Sequence, residues 1–443
     1  MKIKVKDFLT GIVTFIIMLV SFTVPLRESL YGGYSRFAML IVLSILIAVY
    51  IYLRYSSHKI SIIQTVWILA FLLTIRNNAN LASGSTASTL YCFTAFFVPT
   101  LICQMDFEKR AMNWMVRFAL IHAFIGLFFL LFPDLLIKNI DKLFPAIIPS
   151  QRSFLISTIK NGYLVGITGH YSTSGMYMAA GFIVSSVLLF YRAVVNQTGL
   201  IQMSKELLLT GFLGICLILT GKRAHLLFSI MVFCADYILI YNRGSYKMRI
   251  QRIAKFVIAF AIIFLVALNI PAFQSTFSRF MSQQVAEEMQ IGRINSKWLP
   301  AIELFKESPV LGCGWLQFGR LHPTYNSGDE IYRNVHNIYL QLLCETGILG
   351  VILIVGTMVL TIFITLKRIM VLIKRKEYGE EFLFLVFSFS YQLFFLFYGL
   401  TGNPLYDVQT LFPYMFCCGI AYKYCSKHYL RIGKSISSIR SLM

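Results

Sequence analysis

Apolar residues fall along the chain in blocks of about 17 to 25, the length a helix needs to cross roughly 30 Å of hydrocarbon at 1.5 Å per residue. The blocks predict helices near 8–25, 36–53, 60–76, 87–104, 112–132, 171–191, 205–219, 226–241, 256–271, 335–366, 382–400 and 409–424. The seventh is interrupted by Gly211 and Gly214. In lipid every backbone polar group has to find a partner within the protein, which favours helices. The pattern therefore predicts an all-α polytopic membrane helix bundle of about 12 transmembrane helices, forming one integral membrane domain over residues 1–443 without an internal repeat.

Two connections break the rhythm, at about 135–170 and about 272–334, both on the outer side when the termini are cytoplasmic. Long ordered loops commonly carry function. Within the second, Ser296 to Glu307 reads as a short interfacial helix with Trp298, Ile302, Leu304 and Phe305 along one side and Pro300 in its first turn.

Composition excludes a soluble globule: 57% of the 443 residues are hydrophobic, 13% are charged, and the mean hydropathy is +0.71. A formal charge of +21 raises nucleic acid as a partner, but the positions of the charges exclude it. Lysine and arginine gather in short runs between apolar blocks, at 243–255 and 367–376, and no basic domain interleaved with aromatics exists. With both termini cytoplasmic, about 25 of the 40 Lys and Arg lie inside and about 15 outside, as the positive-inside rule requires. Lys2, Lys4 and Lys6 precede a long apolar run without a small-residue cleavage site, which predicts a retained first helix. Of nine cysteines, all but Cys313 lie in or beside apolar blocks, where they pack as small hydrophobes. Cys313 has no obvious disulfide partner, and no metal-ligand spacing occurs.

Certain polar residues sit where solvation alone explains them poorly. Thr-Gly-Lys-Arg-Ala-His at 220–225 brings Lys222 and Arg223 to the outer boundary on a tight turn. Such a pair fits a pyrophosphate, arginine as a planar fork and lysine as a point charge, or it snorkels to lipid headgroups. His336 stands at the outer mouth of a helix, either as a base for a sugar hydroxyl or as an interfacial hydrogen bonder. Glu345 follows about 13 Å deeper, where a carboxylate is expensive. On a regular helix nine steps turn it about 180° from His336, so it is expected to serve another helix rather than a catalytic dyad. The first long loop supplies Arg152 and Lys160 and then His170 and Tyr171, which either face the same cavity or belong to a helix cap made through Ser172 or Thr173.

Over about 205–355 the chain resembles the O-antigen ligase and polymerase superfamily. The resemblance rests on Arg223, the Arg293 and Trp298 pair, Pro309 with Gly312 and Gly314, His336-Asn337, and Glu345 with Gly347 and Gly350 behind them. It implies a GT-C-like bundle and a metal-independent glycosyltransferase without a cofactor, using an undecaprenyl-pyrophosphate-linked glycan as donor. In that reading Arg223 and Arg293, with Lys222, hold the pyrophosphate, and His336 orients or deprotonates the acceptor hydroxyl. His170, Arg152, Asn337 and Glu345 are acceptor-side or structural. The implied partners are the bilayer, the lipid-linked glycan, and a flippase and chain-length regulator of the same pathway. Two departures stand out: the family often has serine in place of Lys222, and a Pro-Asn pair where Tyr171 to Ser174 lie. A repeat-unit polymerase is the first reading and a ligase the second. A flippase fits less well, because ionisable residues crowd the outer boundary, with Asp236 and Glu345 as the main exceptions.

Overall fold

The computed structural model describes residues 2–23, 106–145, 149–197, 203–241, 290–322 and 334–429, two short strands at 324–326 and 329–331, and isolated positions elsewhere. The helices expected at 36–53, 60–76, 87–104 and 256–271 lie outside these residues apart from scattered helical positions, as does most of the basic run at 243–255. The long helices are α1 (Lys2–Phe22), α2 (Glu108–Leu131), α3 (Pro149–Lys160), α4 (Tyr171–Val195), α5 (Ser204–Leu219), α6 (Arg223–Asp236), α7 (Leu299–Glu307), α8 (Ile338–Arg375), α9 (Glu380–Gly399) and α10 (Val408–Tyr429). Among the described residues five helices are long and apolar enough to span a bilayer: α2, α4, α6 with its π-helical extension to Tyr241, α8 and α9. The protein is a multi-pass membrane protein built of helices. Its one described departure from all-α structure is an antiparallel hairpin pairing Thr324 with Ile331.

The chain divides into two compact units, one of residues 1–21, 31–111 and 291–443, the other of residues 22–30 and 112–290. In the first, α8, α9 and α10 pack on one another and α7 lies against α8. Polar side chains knit these helices internally: Thr361 meets the Tyr422 hydroxyl at 3.2 Å, the Gln392 amide donates to Ser388 at 2.9 Å, and Ser388 donates to the Cys417 carbonyl at 2.6 Å. Such bonds hold membrane helices together where apolar burial gives no preference between lipid and protein. Ion pairs join several helix ends. Lys423 binds Asp106 and Glu108, each at 2.6 Å, Arg368 binds Glu381 at 2.7 Å, and Arg110 binds Asp7 at 2.8 Å.

The second unit is centred on α4, which packs on α5 and α6. Its first long loop is folded rather than extended, through short helices at Pro133–Lys138 and Ile140–Leu143, then α3, then a 3-10 turn at Gly166–Thr168. Leu136, Ile140, Leu155, Ile159 and Val165 form its own small core. The described part of the second long loop, which from residue 291 belongs to the first unit, is likewise anchored. A π-helical stretch at Gln290–Trp298 leads into α7, and Ala301 and Leu304 are buried with Phe318, Val335 and Cys344. Trp298 and Phe305 pack against that cluster as expected, but Ala301 takes the place foreseen for Ile302. The α-helix also starts at Leu299 rather than 296, because Pro300 needs a first-turn position where its missing N–H leaves no bond unmade.

Candidate active site

The first unit builds its site on a break in α8. Gly347 has φ 64° and ψ −171°, so the helix ends after one short stretch and begins again. The freed backbone groups are taken up by the incoming segment at 309–314. Cys313 N–H donates to the Cys344 carbonyl at 2.8 Å and Gly314 N–H to the Glu345 carbonyl at 2.9 Å, while Ile348 N–H donates to the Pro309 carbonyl at 2.9 Å. A Cβ on Gly312 would overlap the Glu345–Thr346 peptide, and one on Gly347 would overlap Val310 and Leu311. Two main chains meet here at a distance only glycine permits.

Glu345 sits at this junction, 1% exposed. Its carboxylate accepts the Tyr406 hydroxyl at 2.7 Å, Leu316 N–H at 3.0 Å, the Gln341 amide at 3.1 Å and Phe318 N–H at 3.3 Å. A carboxylate with that many donors is held for its hydrogen bonds, and Trp315, stacked on Tyr406 at 4.7 Å, seals it from one side. Glu345→Ala would strand two buried backbone donors and a tyrosine hydroxyl, each worth about 1–3 kcal/mol. Its melting temperature in detergent is expected to fall well below that of Glu345→Gln, which keeps an acceptor oxygen. Equal melting of the two variants would show that the acceptor is dispensable.

His336 lies just ahead of α8 with φ 58°, a region few non-glycine residues adopt. Its backbone N–H donates to Asn403 Oδ1 at 3.1 Å, and its Nδ1 lies 3.3 Å from Asn403 Nδ2. Asn337 is the N-cap of α8, accepting Tyr339 N–H at 3.1 Å and Leu340 N–H at 3.2 Å. Gln341 ties the turn to the carboxylate below: it accepts Val335 N–H at 3.1 Å and donates to Asn334 and Glu345. His336, Asn337 and Glu345 therefore belong to one hydrogen-bonded cluster. Because His336 stands outside the helix, the half-turn separation expected on a regular helix does not apply. Arg293, half-buried in the π-helical stretch, makes no ion pair among the described residues.

The second unit carries the other set. Gly221 has φ 67°, and any side chain there would strike Tyr163, so the turn at 220–222 needs glycine. Lys222 is the N-cap of α6 and Arg223 its first residue, half-buried and free of carboxylate partners among the described residues. The Lys222 ammonium lies 5.4 Å from the centre of the Tyr171 ring. Tyr171 stacks on His170 at 4.8 Å, and His170 on Phe154 at 5.8 Å. The cap of α4 is made by His170 itself, whose Nδ1 accepts Ser172 N–H at 3.1 Å, and not by Ser172 or Thr173. Burial among these rings and then the Lys222 charge lower the His170 imidazole to about 4. His170 is nonetheless an exposed residue, which moderates the burial effect, yet the direction stands because a protonated Nδ1 would lose its bond to Ser172. Arg152 is committed elsewhere, in a two-pronged bond to Asp141 at 3.0 and 3.3 Å.

Residues 208–355 match the O-antigen ligase family. No curated protein matches the chain. The O-antigen ligase segment takes in the Lys222-Arg223 turn, Arg293, the clamp at 309–314, His336 and the Gly347 break. It implies glycosyltransferase-like activity of ligase or polymerase type on a lipid-linked glycan at a membrane. Asn403 and Tyr406, which hold His336 and Glu345, lie beyond it and escape a reading by motif. Their signal in the sequence is slight: an Asn-Pro pair between two apolar blocks, which favours a turn.

Proposed function

We propose that this protein polymerises a surface polysaccharide at the outer face of a bacterial cytoplasmic membrane. The glycan on one undecaprenyl-pyrophosphate carrier is transferred to the end of another lipid-linked repeat. The observation that carries the reading is the pair of half-buried arginines in the O-antigen ligase segment, Arg223 and Arg293, neither committed to a carboxylate among the described residues. Guanidinium groups fixed in this way stabilise the charge that builds as a pyrophosphate departs. Lys222 adds charge beside Arg223 at the start of α6, where the helix amides also favour an anion. His336 orients or deprotonates the acceptor hydroxyl, and His170 is assigned a role toward the acceptor. Arg152 and Asn337 are structural, held by Asp141 and by the cap of α8. The transfer is metal-independent.

Polymerase is preferred because Lys222, seated over Tyr171, departs from the ligase-like form of the turn. A ligase that moves the finished glycan to a different acceptor is the second reading, favoured by the description of the matched family. The test is incubation of purified protein with a single lipid-pyrophosphate-linked repeat, followed by electrophoresis. A ladder is expected, unchanged by chelator and lost in His336→Ala. Transfer to another acceptor without a ladder would replace the polymerase by the ligase.

A further inference from the structure

We infer that Asn403 is a positioning residue that holds His336 with its proton on Nε2, so that the ring offers the substrate a hydrogen-bond donor and not a base. The inference rests on the reading above that His336 faces the glycan transfer.

Asn403 is 4% exposed and reaches His336 from the connection between α9 and α10. The two ends of an asparagine amide are ordinarily interchangeable in a structure. Here the chemistry fixes them. The backbone N–H of His336 only donates, so the amide atom facing it at 3.1 Å has to be the oxygen. The amide nitrogen then faces Nδ1 of the ring at 3.3 Å, and an amide nitrogen only donates. Nδ1 therefore accepts and carries no proton, which leaves the single proton of a neutral imidazole on Nε2. Asn403 is itself braced, since its carbonyl accepts Tyr406 N–H at 2.9 Å across a turn stiffened by Pro404. The left-handed backbone of His336 is kept by the same contacts: a strained conformation persists where its surroundings over-determine it.

A neutral ring in this form donates a hydrogen bond without releasing its proton. In the transfer, the acceptor oxygen bonds to the anomeric carbon as the bond from that carbon to the pyrophosphate oxygen breaks, and the electron pair leaves with the pyrophosphate. The acceptor's proton goes to the departing pyrophosphate, while His336 Nε2–H steadies an oxygen of the reacting centre. Among the described residues, the ionisable groups on the elements packed about this turn include Tyr339 and Glu345 of α8, Tyr398 of α9, and Tyr406 and Asp407 of the connection. Tyr339 donates to the Leu396 carbonyl, and Tyr406 to Glu345.

Nitrogen spectra of full-length protein labelled with ¹⁵N-histidine, with His336→Gln to identify the resonances, read the proton's position without any assay. Above neutral pH a pyridine-like Nδ1 and a pyrrole-like Nε2 are expected for His336; the reverse pattern overturns the inference. In Asn403→Asp the carboxylate accepts both the backbone N–H and an Nδ1 proton, so the neutral ring turns its bare Nε2 to the substrate. Ladder formation is then expected to fall about tenfold or more as pH rises through the imidazole's titration, and to recover below it, where both nitrogens are protonated. Wild type lacks that alkaline limb. Unchanged or increased activity of Asn403→Asp at alkaline pH would show that His336 works as a base. If wild type makes no ladder the polymerase reading fails, and the nitrogen spectrum alone decides this one.

Discussion

Arg223→Ala and Arg293→Ala are each expected to lose glycan transfer by at least about 100-fold, the effect of removing one pre-organised charge donor from a transition state. Protein level in the membrane and melting temperature should remain those of wild type. The contrast among arginines carries the argument. Arg110, Arg152, Arg192 and Arg368 are bound to Asp7, Asp141, Glu206 and Glu381, so their loss would be felt in packing. Arg223 and Arg293 have no such commitments among the described residues and remain half-buried, where desolvation strengthens their hold on an anion. Lysine substitutions separate charge from shape: a point charge keeps the attraction but loses the planar fork, so Arg→Lys should recover part of the activity. Initial rates on a lipid-pyrophosphate-linked repeat decide the matter. Full activity in either alanine variant would remove that residue from the mechanism.

What was legible in the sequence was set by strong, local physics. Bilayer thickness dictates block length, and helices expected at 112–132, 171–191, 205–219, 382–400 and 409–424 lie within a few residues of α2, α4, α5, α9 and α10. The helix expected at 335–366 runs on to Arg375, because long basic side chains reach the headgroups from a helix that need not stop at the boundary. The arginine turn and the histidine mouth were legible from charge placed at the edges of apolar blocks. Asn403 and Tyr406 were not. They act on partners 67 and 61 residues away, and nothing local ties an Asn-Pro turn to a distant histidine. Glu345 was legible as a residue with a partner, but not with which one. The expected geometry assumed a continuous helix from His336, whereas the chain leaves the helix before Ile338 and the link runs through Gln341 and the 403–406 turn. The cap of α4 was placed two or three residues late, since histidine rarely caps a helix and serine or threonine commonly does.

Gly312→Ala and Gly347→Ala are expected to be the most damaging single-methyl changes in the described part of the first unit. Each glycine has a positive φ, 72° and 64°, so a side chain is strained whatever the space around it. Each also abuts the other segment's backbone, which cannot rotate aside as a side chain would. Admitting a methyl group requires the 309–314 segment to lift from the α8 break, with loss of the bonds at Cys313, Gly314 and Ile348. Those groups would then be left inside the protein without partners, at about 1–3 kcal/mol apiece on top of the strain. The sum exceeds the usual effect of a point mutation, so loss of monodisperse protein is expected, or a melting temperature lowered by many degrees. Gly356→Ala is the control, for it lies on the same helix with nothing within 4 Å and gains helix propensity. Wild-type melting of Gly312→Ala or Gly347→Ala would mean that the two main chains do not meet as closely as this. With the clamp lost, the Glu345 carboxylate also loses its backbone donors at Leu316 and Phe318, and with them the base on which the Asn403–His336 pair stands. Glycan transfer should therefore fall together with stability in these variants, whereas in the arginine variants it falls alone.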